Sequence, residues 1–203
     1  MAVIFSQSLT KDNLMKSFAG ESQARNRYTF SADVAKKQNM YVIQQVFDMT
    51  AHQEKEHAKI FFDFLKEVNG TAININTGYP VGNYDDLAQL LRDSQHNEYQ
   101  EGGVLYPDFA RIARDEGFIP IATAFEKIAE IEKGHGNRLG AFAELIEQGK
   151  LFKADTETEW FCLNCGHMHK GLEAPGQCPV CHHAQGYFVP YKYYKLLASD
   201  YTI

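Results

Sequence analysis

The sequence predicts a mainly α-helical protein in which a four-helix bundle is followed by a small metal-binding β domain. Three observations support this fold class. Apolar residues recur every three or four positions through four long segments, as on the buried face of a bundle helix. Glutamates and histidines stand at several positions of those apolar stripes. All four cysteines lie between residues 162 and 181, in two Cys-x-x-Cys pairs, which indicates a metal site and not a disulfide framework.

The first helix is expected over residues 9–37, with Ser8 or Thr10 as its N-terminal cap. Its apolar stripe contains Glu21 and Arg25. A buried carboxylate is unfavourable unless it is paired or binds a metal. For Glu21 taken singly, an ion pair with Arg25 is therefore an alternative to a metal.

The second helix, expected over residues 40–69, and the fourth, expected over residues 120–149, share a pattern. Each carries Glu-x-x-His in the centre of its apolar stripe. Residues three apart are neighbours on a helix surface, so both side chains can point at one ion. The two pairs are Glu54 with His57 and Glu132 with His135.

The third helix is expected to begin after Asp85 or Asp86 and to end at Gly117. Residues 70–84, which contain Gly, Pro and Asn without a helical period, form the long connection before it. Acids again occupy the apolar stripe, which continues through Leu91, Ser94, Glu98, Glu101 and Leu105.

Glycines interrupt these helices near the expected ligands. Gly102-Gly103 and Pro107 are unfavourable inside a helix, so we predict a kink or bulge between Gly102 and Pro107. Gly134 and Gly136 flank a histidine of the fourth helix, where better helix formers are expected. These residues leave the set of ligands intact but affect the local helix geometry.

Together, the acids and histidines of the stripes predict a site for two metal ions. One glutamate from each of two helices, with Glu-x-x-His from each of the other two, is the arrangement of carboxylate-bridged di-iron bundles. Without cations, four carboxylates facing one core would repel one another strongly. Carboxylates with imidazoles suit iron or manganese better than zinc. The six expected ligands are Glu21, Glu54, His57, Glu98, Glu132 and His135.

Three further residues are candidates for the same site. Glu101 lies one turn beyond Glu98 and is a seventh candidate ligand, which would allow an iron to exchange ligands as its charge changes. The alternative is an exposed glutamate beside a bulge. Tyr28 and Tyr106 are placed to hydrogen-bond ligand carboxylates, or else are buried tyrosines with other acceptors.

The two Cys-x-x-Cys turns predict a tetrahedral site with four thiolate ligands. This pattern is a strong signal for a metal and a weak one for its identity. A structural zinc ribbon is one interpretation. Iron is favoured beside a redox bundle, because zinc has no redox chemistry. The ligands are Cys162, Cys165, Cys178 and Cys181.

The expected domain organisation follows from these segments. Residues 1–149 form the bundle, and residues 150–159, which are polar and lack an apolar period, form a linker. Residues 160–203 form the β domain, with residues 188–194 as its last extended segment.

Composition argues against two classes of partner. The formal net charge of −6 gives no basic surface for nucleic acid. The N-terminus lacks a basic segment followed by an apolar run, and no apolar run approaches the length of a membrane span. We therefore expect a cytoplasmic protein with neither nucleic acid nor membrane as partner.

With these motifs, the chain resembles the rubrerythrin family over nearly its whole length. The resemblance implies a ferritin-like bundle with a C-terminal rubredoxin-like domain. Glu-x-x-Glu on the third helix and the appended domain set this family apart from ferritins and bacterioferritins. The resemblance rests on Glu21, the two Glu-x-x-His pairs, Glu98-x-x-Glu101 followed by LYPDFARIARDEGF, and WFCLNCGHMHKGLEAPGQCPVC.

The same resemblance implies a non-haem di-iron peroxidase that reduces hydrogen peroxide to water and protects against oxidative stress. One iron would move from Glu101 to His57 on reduction. Electrons would come ultimately from NAD(P)H through a separate reductase, with a donor such as rubredoxin as a partner. They would pass through the Fe(Cys)4 centre to the di-iron site of a partner subunit in a head-to-tail homodimer. The implied ligands of the oxidised pair are Glu21, Glu54, Glu98, Glu101, Glu132 and His135.

Two other functions remain open at this point. A ferroxidase or iron-storage protein of the ferritin type would use the same bundle but would not need an electron relay made of four cysteines. A metal-dependent structural or sensing protein would hold zinc at the cysteines. The chain has no Rossmann fingerprint, which is consistent with an external reductase.

Overall fold

The computed structural model describes residues 3–197, and it confirms the mainly helical fold with a small C-terminal sheet. Helix α1 packs against α2, and α3 and α4 pack against α5. No helix within the described residues is both long and apolar enough to cross a membrane. The helices of the bundle are α1 (Leu9–Lys37), α2 (Tyr41–Phe64), α3 (Leu87–Gln100), α4 (Tyr106–Asp115) and α5 (Ile119–Glu147).

The helix ends follow from local chemistry. Ser8 caps α1, since its side chain accepts a hydrogen bond from the Lys11 N–H. Asp86 does the same for α3, accepting from Gln89. Gly149, with φ of +65°, follows the end of α5 in the left-handed region that favours glycine.

Thr10 is not the cap of α1 but takes part in a contact between distant helix ends. The Glu116 carboxylate accepts hydrogen bonds from the backbone N–H groups of Leu9 and Thr10, at 3.0 and 2.9 Å, and from the Thr10 hydroxyl. Partial burial raises the pKa of Glu116, but these hydrogen bonds outweigh it and hold the pKa below its usual value. An anion at the N-terminus of α1 therefore ties the start of α1 to the end of α4.

Replacing Glu116 with Gln should destabilise the protein most at neutral pH. Because the pKa of Glu116 is lower in the folded chain, its contribution is present above the unfolded pKa near 4.5 and is lost as the pH falls through the folded value. We expect a loss of about 1–2 kcal/mol at pH 7, shrinking at pH 3, in chemical denaturation. An equal loss at both pH values would show that the charge is not involved.

The predicted irregularity in the third helix is a π-helical segment, Glu101–Leu105, between α3 and α4. A Cβ at Gly102 would lie 2.7 Å from the carbonyl oxygen of Ala129 in α5, so glycine lets the two helices approach closely. The wider turn also shifts the buried face. Leu105, expected in the apolar stripe, is 42% exposed, and Tyr106 is buried instead.

The placement of Arg25 in an apolar stripe is a second prediction that is wrong. Arg25 is exposed, and the neighbouring Ala24 is buried in the core. An ion pair with Arg25 therefore does not account for the buried Glu21.

The core of the bundle consists of two apolar clusters with the acidic and histidine residues between them. Along α1, α2 and α5, and along α3 continued into α4, one cluster lies before these polar positions and the other after them. The first cluster includes Tyr28, Phe47, Leu91, Leu139 and Phe142, and the second includes Leu14, Phe61, Tyr106, Phe125 and Ile128.

The C-terminal residues form an antiparallel sheet in the order β2-β1-β3, made of β1 (Lys153–Cys162), β2 (Met168–Glu173) and β3 (Phe188–Pro190). Trp160 of β1 pairs with His169 of β2 and Pro190 of β3.

Two predictions for this region need correction. Residues 153–159, expected in the linker, already belong to β1. The side chains at the start of this strand are mostly polar, so the sequence shows no alternation of apolar residues there. Of the expected extended segment 188–194, only β3 is extended, and the short helix α6 (Tyr191–Tyr194) follows it. The boundaries of the domains stay a prediction, and the expected end of the β domain at residues 198–203 lies outside the described residues.

The sheet docks on one end of the bundle through close contacts. The rings of Tyr41 and Tyr187 stack with centroids 4.2 Å apart. A Cβ at Gly186 would lie 1.8 Å from the carbonyl oxygen of Asn39, so backbone packs directly on backbone. Val189 joins the apolar cluster of the bundle.

Candidate metal centres

Four helices of the bundle contribute to one buried polar cluster at mid-height. Each of its six side chains is at most 5% exposed. They are the six residues expected as ligands: Glu21 from α1, Glu54 and His57 from α2, Glu98 from α3, and Glu132 and His135 from α5.

These side chains form two overlapping groups whose ligand atoms lie within 4.8 Å of one another. Glu54 and Glu132 belong to both groups. Each of these two carboxylates can therefore serve both positions of a metal pair. The first group is Glu21, Glu54, His57 and Glu132, and the second is Glu54, Glu98, Glu132 and His135.

The oxygen positions of the shared carboxylates support this assignment. Glu132 Oε1 lies 2.9 Å from His57 Nδ1, whereas Glu132 Oε2 lies 2.8 Å from His135 Nδ1. Glu54 likewise presents Oε2 to His57 at 3.5 Å and Oε1 to His135 at 2.9 Å. Each shared carboxylate thus directs one oxygen to each group, which is the geometry of a bridging ligand.

Protons compensate part of the charge in the metal-free cluster. Burial and the negative charge of Glu54 raise the pKa of Glu98 to about 8. Burial lowers the pKa of His57, but the close carboxylates of Glu132 and Glu54 outweigh it and raise the pKa to about 10. Metal binding at this site must therefore displace protons.

The donor atoms fit two cations. Within the described residues, most of these buried atoms make no well-aligned hydrogen bond, although some lie close to one another as ion pairs, and this arrangement is costly unless an ion satisfies them. Mixed carboxylate and imidazole donors suit iron. The unpartnered atoms are Glu21 Oε2, both oxygens of Glu54 and Glu132, Glu98 Oε2, His57 Nδ1, and Nδ1 and Nε2 of His135.

Two tyrosines hydrogen-bond the two carboxylates that are not shared, Glu21 of the first group and Glu98 of the second. The Tyr106 hydroxyl donates to Glu21 Oε1 at 2.5 Å, and the Tyr28 hydroxyl donates to Glu98 Oε1. Burial raises the pKa of both tyrosines, and the nearby carboxylates raise it further, so both remain protonated donors. Tyr28 and Tyr106 are thus the two residues that the sequence suggested for this role.

Glu101 stands apart from the six. It belongs to neither group, and it is only partly buried, in the π-helical segment at the edge of the site. His57 lies close to the shared carboxylates instead. The place of Glu101 among the ligands stays a prediction.

The glycines around His135 have different surroundings. A Cβ at Gly136 would lie 2.6 Å from the ring of Tyr99, whose hydroxyl donates to Asn137 at 2.8 Å. A Cβ at Gly134 would meet nothing within 4 Å. Gly136 therefore makes room for an aromatic ring of α3, and nothing in the structure explains Gly134.

The four cysteines form a second centre at one end of the sheet. All four sulfurs lie within 4.8 Å of one another, and two pairs are 3.7 Å apart, Cys162 with Cys181 and Cys165 with Cys178. A tetrahedron with metal–sulfur bonds of about 2.3 Å needs sulfurs roughly 3.8 Å apart, so the geometry fits one metal ion. The backbone N–H of His183 lowers the pKa of Cys181 to about 5, which favours the thiolate.

Tyr79 is a residue near the site that the sequence patterns do not indicate. It lies in the connection before α3 and, with Glu101, lines a cavity beside the metal cluster. An irregular connection has no periodicity from which the position of a side chain can be inferred.

Comparison with known proteins agrees with both centres. The family model described as rubrerythrin matches residues 12–145, and the one described as rubrerythrin, rubredoxin-like domain, matches residues 160–189. Rubrerythrin of Clostridium perfringens is 47% identical over 90% of this chain and 94% of its own length. Rubrerythrin of Porphyromonas gingivalis is 45% identical over 91% of each chain.

Solved structures show the same fold. A structure described as a mixed-valence state of nigerythrin is 26% identical, with a TM-score of 0.60, over 94% of this chain and 92% of that chain. Symerythrin from Cyanophora paradoxa, at 22% identity and a TM-score of 0.59, covers 72% of this chain and 89% of its own, and supports the fold alone. With a carboxylate di-iron site in the bundle and a four-cysteine site in the appended domain, the chain belongs to the rubrerythrin family.

Proposed function

We propose that the protein is a non-haem di-iron peroxidase that reduces hydrogen peroxide to water and protects against oxidative stress. The observation that carries this proposal is the pair Glu54 and Glu132, each offering one oxygen to both metal positions. The overall reaction consumes one hydrogen peroxide, two electrons and two protons and yields two water molecules. A metal pair that supplies one electron from each iron matches this stoichiometry.

In this proposal, two tyrosines orient the metal ligands and a glutamate outside the two ligand groups delivers protons. Tyr106 and Tyr28 orient Glu21 and Glu98 by hydrogen bonds. Glu101 lies on the wall of the adjacent cavity, between solvent and the buried cluster. We assign to Glu101 the transfer of protons from solvent to the peroxide oxygens, which leave as water when the O–O bond breaks.

The four-cysteine centre is the electron relay in this proposal, and its docking suggests a route between subunits. The sheet contacts α2 at Tyr41, and an α-helix rises 1.5 Å per residue, so this contact lies about 20 Å along α2 from Glu54. In a head-to-tail homodimer, electrons could pass to the di-iron site of the partner subunit over a shorter distance than the one within a single subunit. The external donor would be rubredoxin or an NAD(P)H-dependent reductase, and four free thiols in one site suit the reducing cytoplasm.

The test is anaerobic reduction followed by titration with hydrogen peroxide, with iron counted per chain. We expect one peroxide to be consumed for each pair of bundle irons oxidised, and the cysteine-bound iron to regain its colour afterwards. Rapid oxidation by dioxygen instead, with storage of ferric iron and no response at the four-cysteine centre, would indicate a ferritin-type function.

Replacing Glu101 with Ala should slow peroxide turnover about 100-fold, because a positioned general acid contributes at least that factor. Iron content at both centres and the helical circular dichroism should be unchanged, since Glu101 is outside both ligand groups. Glu56→Ala, at an exposed position of α2, is the control. Unchanged turnover would remove Glu101 from the mechanism.

A further inference from the structure

A cavity of about 110 Å³ lies beside the metal cluster, between α1, the connection before α3, and the π-helical segment. This volume accommodates several water-sized molecules. Most of the exposed wall area is apolar, and the charged residues that line it are Lys16 and Glu101. The residues that line it include Gly20, Tyr79, Pro80, Glu101, Leu105 and Tyr106.

The inner wall of the cavity is shared with the metal site. Tyr106 lines the cavity and hydrogen-bonds the carboxylate of Glu21. Gly20 precedes Glu21 in α1, and a Cβ at Gly20 would lie 3.9 Å from Glu101 Oε1. The six buried ligands are at most 5% exposed, whereas Glu101 is only partly buried. The cavity is therefore a place where the surroundings of the cluster approach solvent.

Tyr79 forms the outer wall. Its hydroxyl donates to the carbonyl oxygen of Lys16 at 2.8 Å, which ties the connection across α1. Its ring lies 3.5 Å from the position of a Cβ at Gly20. Tyr79 lines the cavity and is 37% exposed, so it lies between the cavity and solvent.

We propose that this cavity is the passage by which small uncharged molecules reach the di-iron site, and that Tyr79 sets its width. The mostly apolar wall area favours a neutral molecule over a charged one. A passage narrowed by Tyr79 would admit hydrogen peroxide more readily than organic hydroperoxides with bulky alkyl groups. The selectivity of the passage for hydrogen peroxide rests on the proposed peroxidase function.

The first test uses nitric oxide, a small neutral ligand of ferrous iron, and does not depend on peroxidase activity. Gly20→Leu should place a side chain in the passage and slow nitric oxide binding to the reduced protein at least tenfold in stopped-flow absorbance. Gly20→Ala should bind at nearly the normal rate, because its Cβ makes ordinary contacts. Leu105→Trp, at a partly exposed position of another wall, is a second blocking variant in case Gly20→Leu does not fold.

The second test widens the passage. Tyr79→Ala should raise the rate of oxidation by tert-butyl hydroperoxide relative to hydrogen peroxide about tenfold, as expected when a steric barrier is removed from a site. Val81→Ala changes the same connection at a side chain that is 89% exposed and should leave the ratio unchanged.

The outcomes separate the two proposals. Slower nitric oxide binding in a blocked variant, without peroxide oxidation in the unmodified protein, would support the passage and reject the peroxidase. Normal nitric oxide binding in an iron-loaded, folded blocking variant would overturn the passage, whatever the peroxidase activity. An unchanged hydroperoxide ratio in Tyr79→Ala would reject the role of Tyr79 in setting the width.

Discussion

Replacing Glu132 with Gln will remove iron from both positions of the bundle and destabilise the metal-free protein. Glu132 directs one oxygen to each ligand group, so its loss weakens both positions at once. In the metal-free protein it also lies beside His57 and His135, whose pKa values are raised despite burial, by neighbouring carboxylates that include Glu132. Removing one partner of a buried charge pair costs about 3 kcal/mol or more. Iron analysis and denaturation of the metal-free protein measure the two effects.

Glu21→Gln is the matched control. Burial and the charges of Glu54 and Glu132 raise the pKa of Glu21 well above its usual value, so the folded protein favours the neutral form of this carboxyl more than that of an exposed glutamate. A neutral amide of the same shape should then leave the stability of the metal-free protein nearly unchanged. It should weaken binding at one metal position, since Glu21 belongs to one group. Equal effects of the two substitutions, on iron content and on stability, would contradict the bridging assignment.

Replacing Gly102 with Ala should destabilise the bundle and distort the metal site, whereas Gly103→Ala should not. A Cβ at Gly102 would lie 2.7 Å from the Ala129 carbonyl oxygen and 3.1 Å from the Cβ of Glu132. Such overpacking costs about 1–3 kcal/mol, and the π-helical segment must move away from α5 to relieve it. At Gly103 nothing lies within 4 Å, so alanine should gain up to about 1 kcal/mol of helix propensity.

Denaturant unfolding of the two variants, with iron titration of each, measures this difference. The adjacent positions share the same segment and the same change in composition, so backbone flexibility alone would affect both equally. Similar stabilities for the two variants would show that the close approach to α5 is not what requires glycine at position 102.

Much of the bundle could be predicted because its determinants are local. The spacing of apolar residues and the capping residues predicted α1 at its observed bounds. The acids and histidines that lie on the apolar faces of the helices are the residues that meet in the core. A charged side chain in an apolar stripe is itself the signal, because burial without a cation is too costly.

The errors arise where the determinants are not local. A constant helical period cannot be carried through a π-helical turn, and it therefore places Leu105 on the wrong face. The first residues of β1 are polar, and only their pairing with β2 makes them a strand. Tyr79 depends on a hydrogen bond to a residue 63 positions earlier in the chain, which no sequence window contains.

The contact of Gly186 with Asn39 has a consequence for how the two centres communicate. The backbone of Gly186 packs on the backbone of Asn39, so the sheet lies directly against its own bundle, with no side chain between them at this point. Any movement of the four-cysteine centre towards the bundle irons of its own subunit would have to break this contact. Under the proposed route between subunits, a monomer could not pass electrons from its four cysteines to a di-iron site, so dilution to the monomer would stop turnover.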